Sequence, residues 1–235
     1  MIQKTLLERM TEGGDRKAAE FGQKLKVSER EILGTRTPVL AALAKELAKE
    51  EGTRALDDFF LYPSVSYDEV VLMYKVFGLL KLDEAATKSY LLKLLPYNDS
   101  WATNDTLCTS FVACKKEPQT YWPLIIGYLE SSNPWDIRFA TITMMSWYLI
   151  DEYIEQVLSL LSTIGNDHYY VIMGLGWAYA TAFAKYRDLT LPYMEKGVLP
   201  EKVRKKAIQK CIESFRVCEE DKKLLRSIRQ EASRH

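Results

Sequence analysis

The sequence predicts an all-α protein, and two observations lead to that class. Apolar residues recur at helical spacing over almost the whole chain of 235 residues, whereas the alternating or Val/Ile-rich runs typical of strands are missing. Short segments rich in Gly, Pro, Asn and Asp interrupt this pattern and leave stretches of roughly ten to eighteen residues, a normal helix length. We therefore expect about a dozen helices joined by short loops.

Several predicted helices begin where a capping residue stands before a proline. Thr37 precedes Pro38, which joins a capping side chain to a residue suited to the first helical position. Asn133 precedes Pro134 in the same way, and Pro200 opens another helix before an acidic residue. These signals predict where three of the helices start.

Many short, paired helices are typical of a solenoid of two-helix repeats, in which each pair contacts mainly its neighbours. The sequence has no identity at a fixed period, so an irregular helical bundle stays open as the alternative. A solenoid curves, and its concave face is a groove for an elongated ligand. We expect residues 1–235 to form a single domain.

Charge and hydropathy exclude several classes of protein. Lys and Arg number 32, as do Asp and Glu, so a nucleic-acid partner would have to be attracted by an uneven distribution of charge. A hydrophobic content of 47% excludes disorder. The N-terminus lacks a basic start followed by an apolar block, and no 18 uncharged apolar residues run together, so we expect a cytoplasmic protein without a membrane anchor.

Cysteine and histidine usage argues against metal and triad chemistry. No C-x-x-C pair occurs, which predicts buried free thiols in a reducing compartment and no zinc for the four cysteines Cys108, Cys114, Cys211 and Cys218. His168 is one of only two histidines, and neither a G-x-S-x-G signature nor a Gly-rich phosphate loop is present. We expect neither a metal nor a nucleotide cofactor.

The stretch SWATND predicts a helix that begins near Ser100. In such a helix Trp101 and Asp105 are one turn apart and point the same way. An indole at a helix entrance and a first-turn carboxylate favoured by the helix dipole are the ordinary structural interpretation. Two further apolar helices also contain residues that are unusual for a helix core, which favours a functional interpretation of Trp101 and Asp105.

One exception is Arg138, the sole cation in the apolar stretch 133–150. Burial of an unpaired guanidinium is too costly. Arg138 must therefore reach a carboxylate, such as that of Asp136 or Asp105, or face a polar groove that supplies phosphate or carboxylate.

The other exception is the aromatic stretch 168–186, which contains Trp177. Gly174 and Gly176 each weaken a helix by roughly 1 kcal/mol relative to Ala, which predicts close approach of a neighbour or ligand. A buried aromatic core is the alternative, and we expect His168 to be a loop or cap residue rather than a base.

A basic run lies near the C-terminus, at 201–210. It contains one acid and five cations, namely Lys202, Arg204, Lys205, Lys206 and Lys210. Such a run is usually a solvated helix face, and at the end of a solenoid it could equally contact a phosphodiester backbone.

Five segments together resemble the DNA alkylation repair family, the AlkD-like DNA glycosylases built from HEAT-like repeats. SWATND at 100–105, NPWDIRFA at 133–140 and GLGWAYATAFAKY at 174–186 resemble its signature helices. ILGTRTPVLAALAKEL at 32–47 resembles an early helix start of the family, and VRKKAIQKCIESF at 203–215 its closing basic helix. The resemblance implies a right-handed α-α superhelix with a concave groove.

The resemblance also implies an activity and a site. The family removes cationic alkylated purines, such as 3-methyladenine and 7-methylguanine, from duplex DNA without a metal or a deep base pocket. Its active-site positions match Trp101, Asp105, Arg138 and Trp177. It implies that Asp105 stabilises the sugar cation, that the two tryptophans pack against deoxyribose, and that Arg138 holds a phosphate. We expect a monomer whose partner is double-stranded DNA containing alkylated bases.

Two alternatives stay open at this point. A non-catalytic binder of damaged or branched DNA from the same family is favoured by the balanced charge, and by apolar Ile172 and Met173 where its glycosylases tend to have polar and basic residues. A helical-repeat scaffold for a protein partner is the other, and it would not bind DNA in a salt-dependent way.

Overall fold

The computed structural model describes residues 2–61 and 65–231, and these are almost entirely helical, as the sequence predicts. Within that part of the chain the extended structure is one isolated bridge between Gly14 and Thr35. The chain divides into two compact units, an N-terminal one up to Thr120 and a C-terminal one from Tyr121. A single domain over 1–235 stays a prediction.

The N-terminal unit is built around α5, which packs against α3 and α7. Val70, Leu72, Tyr74 and Val76 of α5 are completely buried. The helices up to the division between the units are α1 (Ile2–Glu12), α2 (Arg16–Lys24), α3 (Thr37–Glu50), α4 (Arg54–Phe60), α5 (Tyr67–Leu79), α6 (Glu84–Leu94), α7 (Trp101–Ser110), α8 (Ala113–Lys116) and α9 (Pro118–Gly127), which runs into the second unit.

The C-terminal unit is built around α12, which packs against α10 and α14, and α14 in turn packs against α15. Phe183 and Tyr179 of α12 are buried, and the Tyr179 hydroxyl donates to the carbonyl oxygen of Leu158 at 2.6 Å. The helices are α10 (Pro134–Trp147), α11 (Ile154–Ser162), α12 (Tyr169–Lys185), α13 (Arg187–Thr190), α14 (Glu201–Glu213) and α15 (Glu219–Glu231).

In both units alternate helices lie side by side, α3 with α5 and α7, and α10 with α12 and α14. Packing of each helix against the one two further along the chain is the pattern of an α-helical repeat fold. The right-handed superhelix and its concave groove stay predictions.

The predicted helix starts are confirmed in two cases and wrong by a residue in the third. Asn133 is the N-cap of α10, and its side chain accepts from the backbone N–H of Trp135 at 3.1 Å. Thr37 already lies inside α3, and the N-cap is Arg36, which makes no side-chain capping bond. Because Thr37 has helical rather than extended backbone geometry, its hydroxyl is not placed to cap the first turn. Pro200 directly precedes α14, as predicted.

The predicted burial of the cysteines is confirmed for three of them and wrong for Cys218. Cys218 is exposed because it lies at the start of α15, where its Sγ contacts the Asp221 carboxylate at 3.3 Å. Among the described residues no three His, Cys, Asp or Glu side chains gather where they could hold a metal ion. No helix in the same ranges is long and apolar enough to span a bilayer.

The start of α14 is stabilised by Arg204, which is completely buried. Its Nε and Nη2 donate to both carboxylate oxygens of Glu201 at 2.8 and 2.9 Å, and Nη1 donates to the carbonyl oxygen of Met194 at 3.3 Å. The bonds from Arg204 to this carboxylate are the largest cause that lowers the pKa of Glu201 from its usual 4.5 to about 2. A bidentate pair of this kind is the arrangement that burial of a guanidinium requires.

We predict that Gly78→Ala destabilises the protein. A Cβ at Gly78 of α5 would lie 2.7 Å from the carbonyl oxygen of Ser110, at the end of α7. Overpacking of this kind costs about 1–3 kcal/mol and outweighs the helix propensity that Ala adds, so the urea unfolding midpoint falls. Gly127→Ala, where nothing lies within 4 Å, is the control and leaves the midpoint unchanged or raises it. Equal midpoints for Gly78→Ala and the wild type would contradict the close packing of α5 on α7.

We predict a pH-dependent effect of Glu201→Gln. The folded-state pKa of Glu201 lies below its usual value, so its ion pair with Arg204 contributes fully above about pH 4.5 and is lost as the pH falls towards 2. At pH 7 the variant should lose about 1–2 kcal/mol of unfolding free energy, a figure reduced for the partial exposure of Glu201. The gap between variant and wild type should narrow on titration from pH 6 to 3. The control is Glu195→Gln, at an exposed position, and a gap independent of pH would refute the pairing.

Candidate functional site

The start of α7 is fixed by a reciprocal pair of hydrogen bonds. The Ser100 hydroxyl accepts from the backbone N–H of Thr103, and the Thr103 hydroxyl accepts from the backbone N–H of Ser100, both at 3.2 Å. Both side chains are buried, so this capping box holds the first turn in one geometry. The prediction that Trp101 and Asp105 lie one turn apart on a helix is confirmed.

The Trp101 indole is held in place by packing on one side. It is half-buried and packs against a small apolar cluster that contains Val27, Ile32 and Ala102. Asp105 is also half-buried. Trp101 and Asp105 share one face of α7, and both are partly exposed. Such a pair of an indole and a carboxylate can bind a cationic ligand.

Arg138 is buried within α10, with 4% of its surface exposed. Its Nη1 donates to the carbonyl oxygen of Tyr170, in the first turn of α12, at 2.6 Å. The sequence left a carboxylate or a polar groove open as partner, and the structure adds a backbone carbonyl of the neighbouring helix. This bond ties α10 to α12.

The predicted close approach at the two glycines of α12 is confirmed. A Cβ at Gly174 would lie 3.3 Å from Nη1 of Arg138. A Cβ at Gly176 would lie 2.6 Å from Cγ of Lys206 and 3.2 Å from the backbone nitrogen of Ala207. Gly174 therefore admits the guanidinium of α10, and Gly176 admits the backbone of α14.

Trp177 follows these glycines and is 39% exposed. It lines a cleft of about 200 Å³ together with Thr181 of α12 and, near the end of α14, Lys210, Glu213 and Arg216. The cleft thus places an indole face beside two cations and one carboxylate. Sequence reasoning identified Trp177 and Lys210 but missed Arg216, which lies outside the basic run and has no spacing signal of its own.

The basic run does not form one uniform surface. Lys202 and Lys205 are exposed, and their Nζ atoms pair with Asp167 at 2.9 Å and Glu201 at 3.3 Å. Arg204 faces the interior instead, where it stabilises the start of α14 as described above.

The remaining two lysines of the run are half-buried. Lys206 donates to Oε1 of Gln209 at 2.9 Å, and Lys210 lines the Trp177 cleft. The surface charge of the run therefore comes from four lysines rather than from five cations.

Four rings gather where α10 and α12 begin. The ring centroid of Trp135 lies 5.3 Å from that of Tyr170 and 5.8 Å from that of His168. Tyr169 packs edge-on against Tyr170, with their ring centroids 5.0 Å apart. His168 is the N-cap residue of α12, as predicted, although its side chain makes no capping bond. The cluster joins the first turns of α10 and α12 through the contact of Trp135 with Tyr170.

Each unit therefore holds two of the four predicted site residues. Trp101 and Asp105 share α7 of the N-terminal unit, and Arg138 and Trp177 belong to two packed helices of the C-terminal unit. That all four act on one ligand stays a prediction.

Comparison with curated proteins gives no match. A family model described as DNA alkylation repair enzyme matches residues 6–233, which include α7, α10, α12 and the whole basic run. Since this match covers nearly the entire chain, the protein belongs to the DNA alkylation repair enzyme family.

Proposed function

We propose that the protein is a monofunctional DNA glycosylase that hydrolyses the N-glycosidic bond of cationic alkylated purines, such as 3-methyladenine and 7-methylguanine, in duplex DNA. The observation that carries the proposal is a half-buried carboxylate, Asp105, one turn from an anchored indole, Trp101, in a chain of the DNA alkylation repair enzyme family.

The chemistry needs little more than a fixed negative charge. An alkylated purine already bears a positive charge, so the bond from C1′ to the base nitrogen breaks with its electron pair going to the base, which leaves neutral. Positive charge then develops on the sugar, and the carboxylate of Asp105 stabilises it. A water molecule oriented by the same carboxylate adds to C1′ and releases one proton to the surrounding water.

The two tryptophans contribute apolar packing rather than charge. The indoles of Trp101 and Trp177 pack against deoxyribose and exclude bulk water from the sugar cation. Neither group has to donate a proton, because the leaving base needs none.

The resemblance assigns Arg138 to a backbone phosphate, and the geometry of α10 supports a different contribution. Its guanidinium is buried and donates to the carbonyl oxygen of Tyr170, on the same helix as Trp177. We propose that Arg138 positions α12, and that phosphate contacts come from the exposed and half-buried lysines of the basic run, namely Lys202, Lys205, Lys206 and Lys210.

We predict that Asp105→Asn abolishes release of 7-methylguanine from methylated duplex DNA while DNA affinity changes less than threefold. The amide keeps the shape of the side chain and removes its charge, so a loss of excision of at least 100-fold is expected. Released base is measured by chromatography and affinity by fluorescence anisotropy.

The matched control for this variant is Asp58→Asn, at another half-buried aspartate of the N-terminal unit, and it should excise like the wild type. Equal release by Asp105→Asn and the wild type would refute the mechanism. Tight binding of DNA by a wild type that releases no base would favour the non-catalytic binder.

We predict that Lys202→Gln/Lys205→Gln weakens DNA binding and flattens its salt dependence. Both lysines are exposed and form surface pairs, which are easily exchanged for phosphates. Loss of two phosphate contacts should reduce the slope of log affinity against log salt by about 1.8. The control pair is Lys88→Gln/Lys93→Gln on α6, and a wild-type affinity insensitive to salt would rule out DNA as the partner.

A further inference from the structure

The start of α7 rests on an irregular segment of the chain, residues 27–32, which lies between α2 and α3. Val27 and Ile32, at the two ends of this segment, are buried and form with Ala102 the cluster on which the Trp101 indole packs. The position of the indole therefore depends on where this segment lies.

The segment is held by the first turn of α5. The backbone N–H of Tyr67 donates to the carbonyl oxygen of Glu31 at 2.9 Å. Directly after the segment, the buried carboxylate of Asp68 accepts from the backbone N–H groups of Leu33 and Thr35, both at 2.7 Å. Because α5 is the central helix of the N-terminal unit, residues 27–32 are a fixed support for α7.

Asp99 joins α7 to this support. Its carboxylate accepts from the Ser28 hydroxyl at 2.7 Å and lies 3.2 Å from Nε of Arg30. The same carboxylate accepts from the Thr103 hydroxyl at 3.1 Å, and that hydroxyl also belongs to the capping box with Ser100. One side chain therefore connects the capping box of α7 to Ser28 and Arg30.

The ion pair of Asp99 with Arg30 is largely shielded from water. The Arg30 and Asp99 side chains are 25% and 22% exposed. The guanidinium of Arg30 also donates to the carbonyl oxygen of Val65 at 3.4 Å and lies over the ring of Tyr97, 5.5 Å from its centroid. A partly buried pair of this kind is screened less than a surface pair, so water replaces the carboxylate poorly.

We propose that Asp99 is a positioning residue for hydrolysis of the glycosidic bond. By tying α7 to residues 27–32, it fixes where the Trp101 indole and the Asp105 carboxylate stand at the sugar. The proposal rests on the glycosylase function proposed above and adds to it the side chain that holds the catalytic helix. A displacement of about 1 Å at a reacting group can cost about 100-fold in rate, so a loosened α7 slows bond cleavage more than it weakens DNA binding.

The test measures release of 7-methylguanine from methylated duplex DNA in single turnover, with the full chain in excess. Asp99→Asn keeps the shape of the side chain and removes its charge, so it should slow cleavage by about 10- to 100-fold. Its affinity for DNA, measured by anisotropy, should stay within about threefold of the wild type. Arg30→Gln should also slow cleavage, and the double variant should be no slower than Asp99→Asn, because the two side chains act as a pair.

The matched control is Asp83→Ala, at another carboxylate that begins a helix of the same unit. Asp83 is the N-cap of α6, and its carboxylate accepts from the backbone N–H of Ala86 at 2.8 Å. Loss of this cap should lower the urea unfolding midpoint and leave the cleavage rate unchanged. The comparison separates positioning of α7 from a general loss of stability.

Fluorine NMR of protein labelled with fluorotryptophan reports on the indole itself. The Trp101 and Trp177 resonances are identified by their loss in Trp101→Phe and Trp177→Phe. Asp99→Asn should shift or broaden the Trp101 resonance and leave that of Trp177, in the other unit, unchanged. An unmoved Trp101 resonance, or a wild-type cleavage rate in Asp99→Asn when Asp105→Asn is inactive, would overturn the positioning role alone. A wild type that releases no base would overturn it together with the proposed function.

Discussion

The arrangement of the C-terminal unit depends on the close approach of α12 to its two neighbours at a pair of glycines. Gly174 leaves room for the guanidinium of Arg138, and Gly176 leaves room for the Lys206 stem and the backbone of α14. Glycine inside a helix costs about 1 kcal/mol relative to Ala, and here that cost is offset by the contact it allows. A side chain at Gly176 would collide with the Lys206 stem, and one at Gly174 would press on the guanidinium of Arg138.

This packing determines what α12 can present to solvent. Nine of the 17 residues of this helix are buried, and Trp177 is the large apolar side chain in its second half that stays exposed. Arg138 holds the carbonyl oxygen of Tyr170, and the end of α14 with its following turn adds Lys210 and Arg216 to the cleft that Trp177 lines. The Arg138 hydrogen bond and the two glycines thus fix the position of α12, and with it the position of the exposed Trp177 indole.

Local signals predicted the parts of this site that depend on one helix at a time. The spacing of Trp101 and Asp105 follows from the helical period once Ser100 caps the helix, and the two glycines follow from their poor helix propensity. The inward turn of Arg204 could not be predicted, because its bidentate pair with Glu201 and its contact with the carbonyl oxygen of Met194 leave no trace in the spacing of the basic run. The exposure of Phe215 was not predicted either, because an apolar residue next to a helix end is ordinarily buried.

Electrostatics explains how a chain with no net charge can belong to a family that repairs DNA. The lysines nearest the surface are paired with Asp167 and Glu201 in exposed ion pairs, which contribute little to stability in water. A phosphate can therefore replace the carboxylate at small cost, and the released acid remains solvated. Arg204 differs, because its carboxylate partner holds it in the interior and no phosphate can substitute there.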